Sequence, residues 1–517
     1  MPRFNKIIMI PLVFALTGCS VLTSDLTLSE QLDLIEKDIK SLYTPQAIED
    51  PISFDEAIAR TIKYNLDNRV KALETVALQR KVTVDSLGAL PRLNASADYS
   101  ERDNFRASSS RSVETGRTSL EPSYGSERHI GGAKLEASWD LIESGLNVVN
   151  AKNSSDEAKI AHQRQRKMAQ GIVREVLSLY WQAASEQILR KDYDGLIQKG
   201  KRLAADLQRA EEQGLIPQED VLKQQAKLYK SLNALSDAKE RLLSAKVELA
   251  YLMNLPPNTD FSLEVSDRDF QKKIPSISND VDELVLLSVV MRPESREEVL
   301  RKRIEERKSI QEILKTLPGF EIIASQNYNS NDFLVNKNWG ELSLSLTQNL
   351  LSIFTLPSRL NKVETEQRLA DLKRQTLMAA IMTQTHIAYN SFEHSREKYN
   401  LRRRLLNVEQ QIARDARNKF SANSLSDVEY FEIQTDFILG QTDMHNSFVR
   451  MWSNYAMLID TLGIDPTSDI TTQMSLEELE AVVKDRYGSL NEVYIPDALD
   501  TILAVKKVPL PQKKPAT

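Results

Sequence analysis

Two carboxylates stand just behind the turns that divide long helix-forming runs. Asp220 follows Gly214-Leu215-Ile216, and Asp427 follows Ser421-Ala422-Asn423. Several carboxylates gathered near one axis would hold a negative field that favours cations and resists anions. Glu219 and Glu429 are neighbours able to add to it. An acidic residue opening a helix also suits the helix dipole without any further role, and both readings stand at this level. Bond-making chemistry finds no support: the sequence holds no P-loop, no His-Glu-x-x-His and no nucleophile elbow. Of the five histidines, His386 and His394 are eight apart on a helix and His445 lies on an apolar seam, positions that suit structure better than ligation. Arg402-Arg403-Arg404 reads as a solvated helix face. No enzyme activity and no cofactor is expected.

The elements that position these groups must be long. The chain has 517 residues, 27% charged, with only 16 Gly and 18 Pro, a composition that favours helices. A net charge of -6 argues against nucleic acid as a partner. The single cysteine excludes an internal disulfide framework and any Cys-based metal site. That cysteine is Cys19. It ends an Arg3/Lys6-led apolar run, 7–16, that is too short to span a bilayer and reads as a signal peptide, 1–18. Leu16-Thr17-Gly18-Cys19 resembles the bacterial lipobox, which implies an acylated, palmitate-bearing Cys19, and Ser20 behind it implies release to the outer membrane. An acyl chain anchors a protein without threading it through the bilayer.

The sequence repeats itself. Leu90-Pro91-Arg92-Leu93 returns as Leu317-Pro318-Gly319-Phe320, with Arg69 and Arg296 each 22 residues upstream of the proline. Leu135, Ala137 and Trp139 match Leu342, Leu344 and Leu346 at an offset of 207, and Asp220-Val221 matches Asp427-Val428 at the same offset. The first half has a loop 20 residues longer between the proline and the second strand. Each half opens with a helix, the first announced by a Ser53/Glu56 capping box and running to about Leu87. An alternating strand follows (about 93–100, then about 320–328), a polar loop, and a second strand (about 134–141, then about 341–347). A helical hairpin closes each half, about 148–253 and about 360–462. The expected organisation is a lipid-anchored segment 19–51, a first repeat 52–259, an equatorial linker 260–280, a second repeat 281–465, and a C-terminal equatorial segment with a Lys/Pro-rich disordered tail, 466–517.

Val221, Leu228, Leu235, Leu242 and Leu249 form a heptad seam; in the second half Phe431, Ile438, His445, Trp452 and Ile459 carry the bulk instead. A helix of 60 residues extends about 90 Å, which builds a rod or tube rather than a globule. Only four alternating strands occur. A four-stranded sheet facing lipid would leave two unpaired edges, and outer-membrane barrels need about eight strands or more. One chain therefore cannot close a pore.

Duplicated strand-pair and hairpin halves behind a lipobox resemble the TolC-type outer-membrane efflux proteins, including their lipoprotein branch. The resemblance spans 52–465. Its particular matches are Ser53-Phe54-Asp55-Glu56-Ala57-Ile58-Ala59, Leu90-Pro91-Arg92-Leu93, and Gly214-Leu215-Ile216 followed by Asp220-Val221-Leu222. It implies a mainly α fold with a trimeric, twelve-stranded transmembrane β-barrel and a periplasmic helical tunnel. It also implies a passive conduit for efflux or type I secretion in the outer membrane, served by a periplasmic adaptor and an inner-membrane pump. Asp427 falls on the family's periplasmic aperture position, with Asp220 as its repeat mate. Tyr430 stands where well-studied members carry a second aperture Asp, which implies an aromatic constriction instead. Gly214-Leu215-Ile216 resembles the adaptor-contacting tip; Ser421-Ala422-Asn423 lacks the leading Gly. A periplasmic adaptor would carry one hairpin with lipoyl-like β segments, and a structural coiled-coil lipoprotein would need no alternating strands.

Overall fold

Alternation in the strand segments and caps at the helix starts set the elements of the computed structural model, which describes residues 25–43, 48, 51–119, 121–271, 274–275, 277, 280–464 and 474–488. The signal peptide, Cys19, Asp465-Pro466 and the tail beyond 488 lie outside the described residues. The chain divides into two units, Met1–Ala47 and Ile48–Thr517. The first contains α1 (Leu28–Leu42), opened by a reciprocal Thr27/Glu30 capping box.

In the second unit, α2 (Phe54–Tyr64) and α3 (Leu66–Leu87) precede β1 (Arg92–Glu101). The single helix expected up to Leu87 is thus two, broken at Asn65. The Asn65 side chain caps α3 through the Asn68 N–H at 3.0 Å. The Ser53/Glu56 box is half formed: Ser53 accepts from the Glu56 N–H, while the Glu56 carboxylate is held by the buried Arg60 at 2.5 Å. A small hairpin, β2 (Ala107–Ser108) and β3 (Ser123–Tyr124), decorates the long loop before β4 (His129–Asp140). Then come α4 (Leu141–Glu212) and α5 (Gln218–Leu252). The second half runs α6 (Val281–Met291), α7 (Pro293–Leu314), β5 (Gly319–Asn329), β6 (Asn338–Thr347), α8 (Leu350–Ser421) and α9 (Asp427–Thr461), followed by α10 (Leu476–Gly488). Helix lengths match across the halves: 11 and 22 residues before the strands, 72 and 35 after them.

Both long helices begin earlier than the hydrophobic pattern alone suggests, at 141 and 350. In the first half, Asp140 ends the strand and also caps the helix, accepting from the Ile142 and Glu143 N–H groups. In the second, Pro357 lies inside α8 instead of preceding it. From the second strand onward the halves correspond at an offset of 209, two more than the sequence match: Asn349 caps α8 as Asp140 caps α4, and with Leu93 matched to Phe320 their cross-strand partners Ala137 and Leu346 are also 209 apart. Four left-handed residues confirm the hairpin register: Gly214 pairs with Asn423, and Asn254 with Gly463.

The main sheet has the order β1-β4-β5-β6, antiparallel throughout. Its register sorts side chains by face. One transverse row reads Leu93, Ala137, Ala324, Leu342, and the neighbouring row on the opposite face reads Asn94, Glu136, Ser325, Glu341. The apolar face is uncovered: Leu342, Leu344 and Leu346 are 73%, 64% and 71% exposed.

The core lies in two stretches of the helical region. A larger cluster gathers Tyr180, Phe270, Phe392, Tyr399, Phe448 and Tyr455 where α2, α6 and the linker after α5 meet the long helices. A smaller one follows the seam toward the hairpin ends, through Val221, Leu228, Leu235, Phe431 and Ile438. There Gly200 lets three helices converge, since a Cβ would lie 2.7 Å from Leu232 and 2.8 Å from Phe431. Nearer the sheet, α7 is fastened to α4 by charge. Asp156, 2% exposed, accepts from Arg303 Nε and Arg307 Nη1, each at 2.7 Å. Arg164–Glu297 at 2.6 Å and Lys167–Glu294 at 2.5 Å extend the ladder.

Candidate functional site at the hairpin ends

A helix that ends in a sharp reversal needs a residue in the left-handed region, and Gly214 (φ 68°) supplies it at the end of α4. The Gly214 N–H donates to the Glu211 carbonyl and the Leu215 N–H to the Ala210 carbonyl, both at 2.9 Å, which satisfies two terminal acceptors. The second hairpin makes the same turn without glycine. Asn423 (φ 52°) donates to Phe420 at 3.0 Å and Ser424 to Lys419 at 2.9 Å. The absence of a leading Gly therefore changes no geometry, because asparagine tolerates this conformation. At the first tip Leu215 is exposed, while Ile216 packs against the seam cluster.

Asp427 is the first residue of α9 and is exposed. The cap itself belongs to its neighbours. Ser426 Oγ accepts from the Glu429 N–H at 3.2 Å and donates to the Glu429 carboxylate at 2.8 Å. Donation to it from the Ser426 hydroxyl and the Ser426 N–H holds the Glu429 carboxyl below its usual range. Asp220, also exposed, is the third residue of α5. By the 209 offset its mate is Glu429, not Asp427, whose own counterpart is Gln218. The pairing of Asp220 with Asp427 is corrected accordingly. The caps Asp140 and Asn349 keep the same offset, so the second strand and its hairpin shift together.

Tyr430 is placed inside the protomer, 8% exposed. Its ring stacks on Phe420 at 4.4 Å, and Lys199 Nζ lies 4.4 Å from its centroid. Gln434 ties the group together, donating to Tyr430 OH at 3.0 Å and accepting from Lys199 Nζ at 3.1 Å. Burial lowers the Lys199 pKa, and the Asp427 carboxylate opposes that shift. Asp427, Lys199, Tyr430 and Phe420 thus form one cluster across α4, α8 and α9. Lys199 and Phe420 carried no sequence signal, since their meeting depends on the stagger of two hairpins.

His445 is fully buried and stacked on Phe270 at 3.8 Å. Its Nδ1 is 2.8 Å from Ser185 Oγ and its Nε2 is 3.4 Å from Asp267 Oδ1. The trio has the residue types of a hydrolase triad, but the Ser185 hydroxyl is sealed in the core, where no substrate reaches it. The contact with His445 holds the Asp267 carboxyl below its usual range and pins the linker to α9. Among the described residues no group of three His, Cys, Asp or Glu could hold a metal, and no helix is long and apolar enough to cross a membrane.

Residues 58–255, the first repeat, match the family model of the outer membrane efflux proteins. No curated protein sequence matches significantly. Among solved structures, the Campylobacter jejuni CmeC outer membrane channel is similar with a TM-score of 0.61 at 13% identity, covering 91% of this chain and 94% of that one. The open-state Neisseria gonorrhoeae MtrE outer membrane channel gives 0.60 at 13% identity, covering 81% and 94%. Vibrio cholerae VceC gives 0.57 at 13% identity, covering 79% and 96%. At that identity the likeness is one of fold, extending over both halves. The first half thus matches the outer membrane efflux family, and most of the chain has the fold of solved outer membrane channels.

Proposed function

We propose that three copies of the chain join their sheets edge to edge into a twelve-stranded barrel, with the hairpins forming a tunnel that is closed at its periplasmic end. The carrying observation is the open sheet: β1 and β6 each pair on one side only, while the apolar face between them is bare. In lipid an unpaired edge leaves backbone groups without partners, and closure removes it. Four strands per chain make three copies the closure that the resemblance implies. Acylated Cys19 adds a lipid anchor to the barrel. The exposed Leu215, with Gly214 and Ile216, is the surface offered to a periplasmic adaptor, through which an inner-membrane pump supplies the energy. Asp427, with Asp220 near the companion tip, gives the closed end its negative charge. Two hairpins, each fed by a strand pair, disfavour an adaptor or a purely structural coiled-coil lipoprotein.

The test uses the edges. Single cysteines on β1 (Ser96→Cys) and β6 (Ser343→Cys), combined in one chain with Cys19 retained, should yield disulfide-linked trimers and a heat-modifiable band on detergent gels. A protein that stays monomeric after detergent extraction from the outer membrane, with no cross-edge product from neighbouring positions either, would refute the reading.

A further inference from the structure

Midway along the hairpins, α4, α5, α8 and α9 bound a polar groove of about 590 Å³. Its wall carries Arg241 from α5, Lys398 and Arg402 from α8, and Arg450 from α9, against a single carboxylate, Asp443. Arg402 is matched by that carboxylate at 3.1 Å. Arg241, Lys398 and Arg450 have no ion-pair partner among the described residues, so three positive charges stay uncompensated. The rest of the lining is mostly hydroxyl and amide, and the Ser453 hydroxyl there is buried without a partner. Toward the hairpin ends the character reverses, for the next groove holds Glu409 and Asp436, both pushed up chiefly by burial. The cationic stretch is therefore local.

Like charges converging on a concave polar wall raise the potential inside it. Such a wall lowers its own repulsion by taking up an anion, and guanidinium groups suit planar or tetrahedral oxyanions by paired N–H donation. An apolar guest would gain nothing here. We propose that this groove is a binding site for a multivalent oxyanion, a molecule bearing two or more carboxylate, sulfonate or phosphate groups. The site belongs to one protomer. It does not depend on the channel reading above.

The probe is pyranine, a fluorescent trisulfonate, titrated at low salt against the detergent-solubilised full chain and followed by anisotropy. Wild type should bind it saturably, with citrate competing and added salt weakening the complex. Arg241→Gln/Lys398→Gln/Arg450→Gln should weaken binding about tenfold or more. Arg404→Gln, which removes an exposed charge outside the groove, should change it less than twofold. The single Arg450→Gln supplies a milder version should the triple variant misfold, and should weaken binding about threefold. Equal affinity in wild type and the groove variants, or an equal loss in Arg404→Gln, would overturn the site. Because no membrane or conduction is involved, that result would leave the channel reading standing, just as a failed trimer test would leave the site standing.

Discussion

Asp156→Asn should loosen α7 from α4, and the size of the effect follows from what each guanidinium can do afterwards. Asp156 is 2% exposed and receives both Arg303 and Arg307. Burial acts to raise its pKa; hydrogen bonds from the two arginines outweigh that and hold the carboxyl below its usual value. Stripping one partner from a buried pair costs about 3–5 kcal/mol. Here Arg303 is 46% exposed and can turn to water, whereas Arg307, at 18%, stays largely enclosed. The expected loss is therefore reduced, to about 2–3 kcal/mol. At about 1.4 kcal/mol per factor of ten, amide exchange in the second half of α7 should accelerate roughly 30- to 150-fold. Hydrogen exchange by mass spectrometry reads this locally, element by element. Lys362→Ala, in an exposed pair with Glu366 at 3.7 Å, should shift exchange by about twofold at most. The sign with pH is fixed by the lowered pKa. The stabilisation is present above the unfolded value of about 4 and is lost as pH falls through the folded value. Glu294 and Glu297 behave alike: burial raises each, and bonds from basic partners carry it lower. Wild-type α7 should thus open in acid while Asp156→Asn changes less. Exchange in Asp156→Asn within threefold of wild type at neutral pH would refute the argument.

Asp427→Asn should lower cation selectivity and weaken block by multivalent cations in planar bilayers, while a helix-dipole role alone predicts unchanged selectivity and a loss of about 0.3–1 kcal/mol. Asp220→Asn, two residues further into its helix, should have the smaller effect in the same recordings. An epitope inserted at Ser109 should be detected on intact cells, since long barrel loops face outward; detection only after permeabilisation would contradict the topology. Cys19→Ser should abolish lipid labelling and signal-peptidase processing, and unchanged labelling would remove the anchor.

The architecture was legible where period and punctuation are strong. Alternation at Leu93, Ala95, Ala97 and Tyr99 places one face of β1, and cross-strand register carries that face through Leu135 and Leu342. Boundaries were legible only in part. Asp140 serves strand and helix at once, so no turn residue separates them, and Pro357 imitates a helix start that α8 passes through. The site divides in the same way. Gly214 announces its turn, but Asn423 makes an equal turn with an unremarkable residue. Lys199 under Tyr430 and Arg450 opposite Lys398 depend on how far one helix slides along another, a quantity no local pattern encodes. The Arg402-Arg403-Arg404 run, read as a solvated face, places its first member in an ion pair across the groove.

The two residues between β6 and α8 make the halves mechanically unequal. In the first half β4 runs into α4 without a break, and Trp139 Nε1 donates back to Ser144 Oγ at 2.7 Å, bracing the joint. A twist imposed far down α4 is delivered straight to its strand. In the second half the same twist meets Gln348 and Asn349 first. Gln348 is tethered sideways, its Nε2 donating to the Thr316 carbonyl at 3.1 Å beside the end of α7. Two backbone residues outside helix and sheet supply four soft torsions, enough to absorb rotation that a continuous joint would transmit. The second joint therefore has backbone freedom that the first lacks. Around the ring of three copies proposed above, stiffer and softer joints would then alternate.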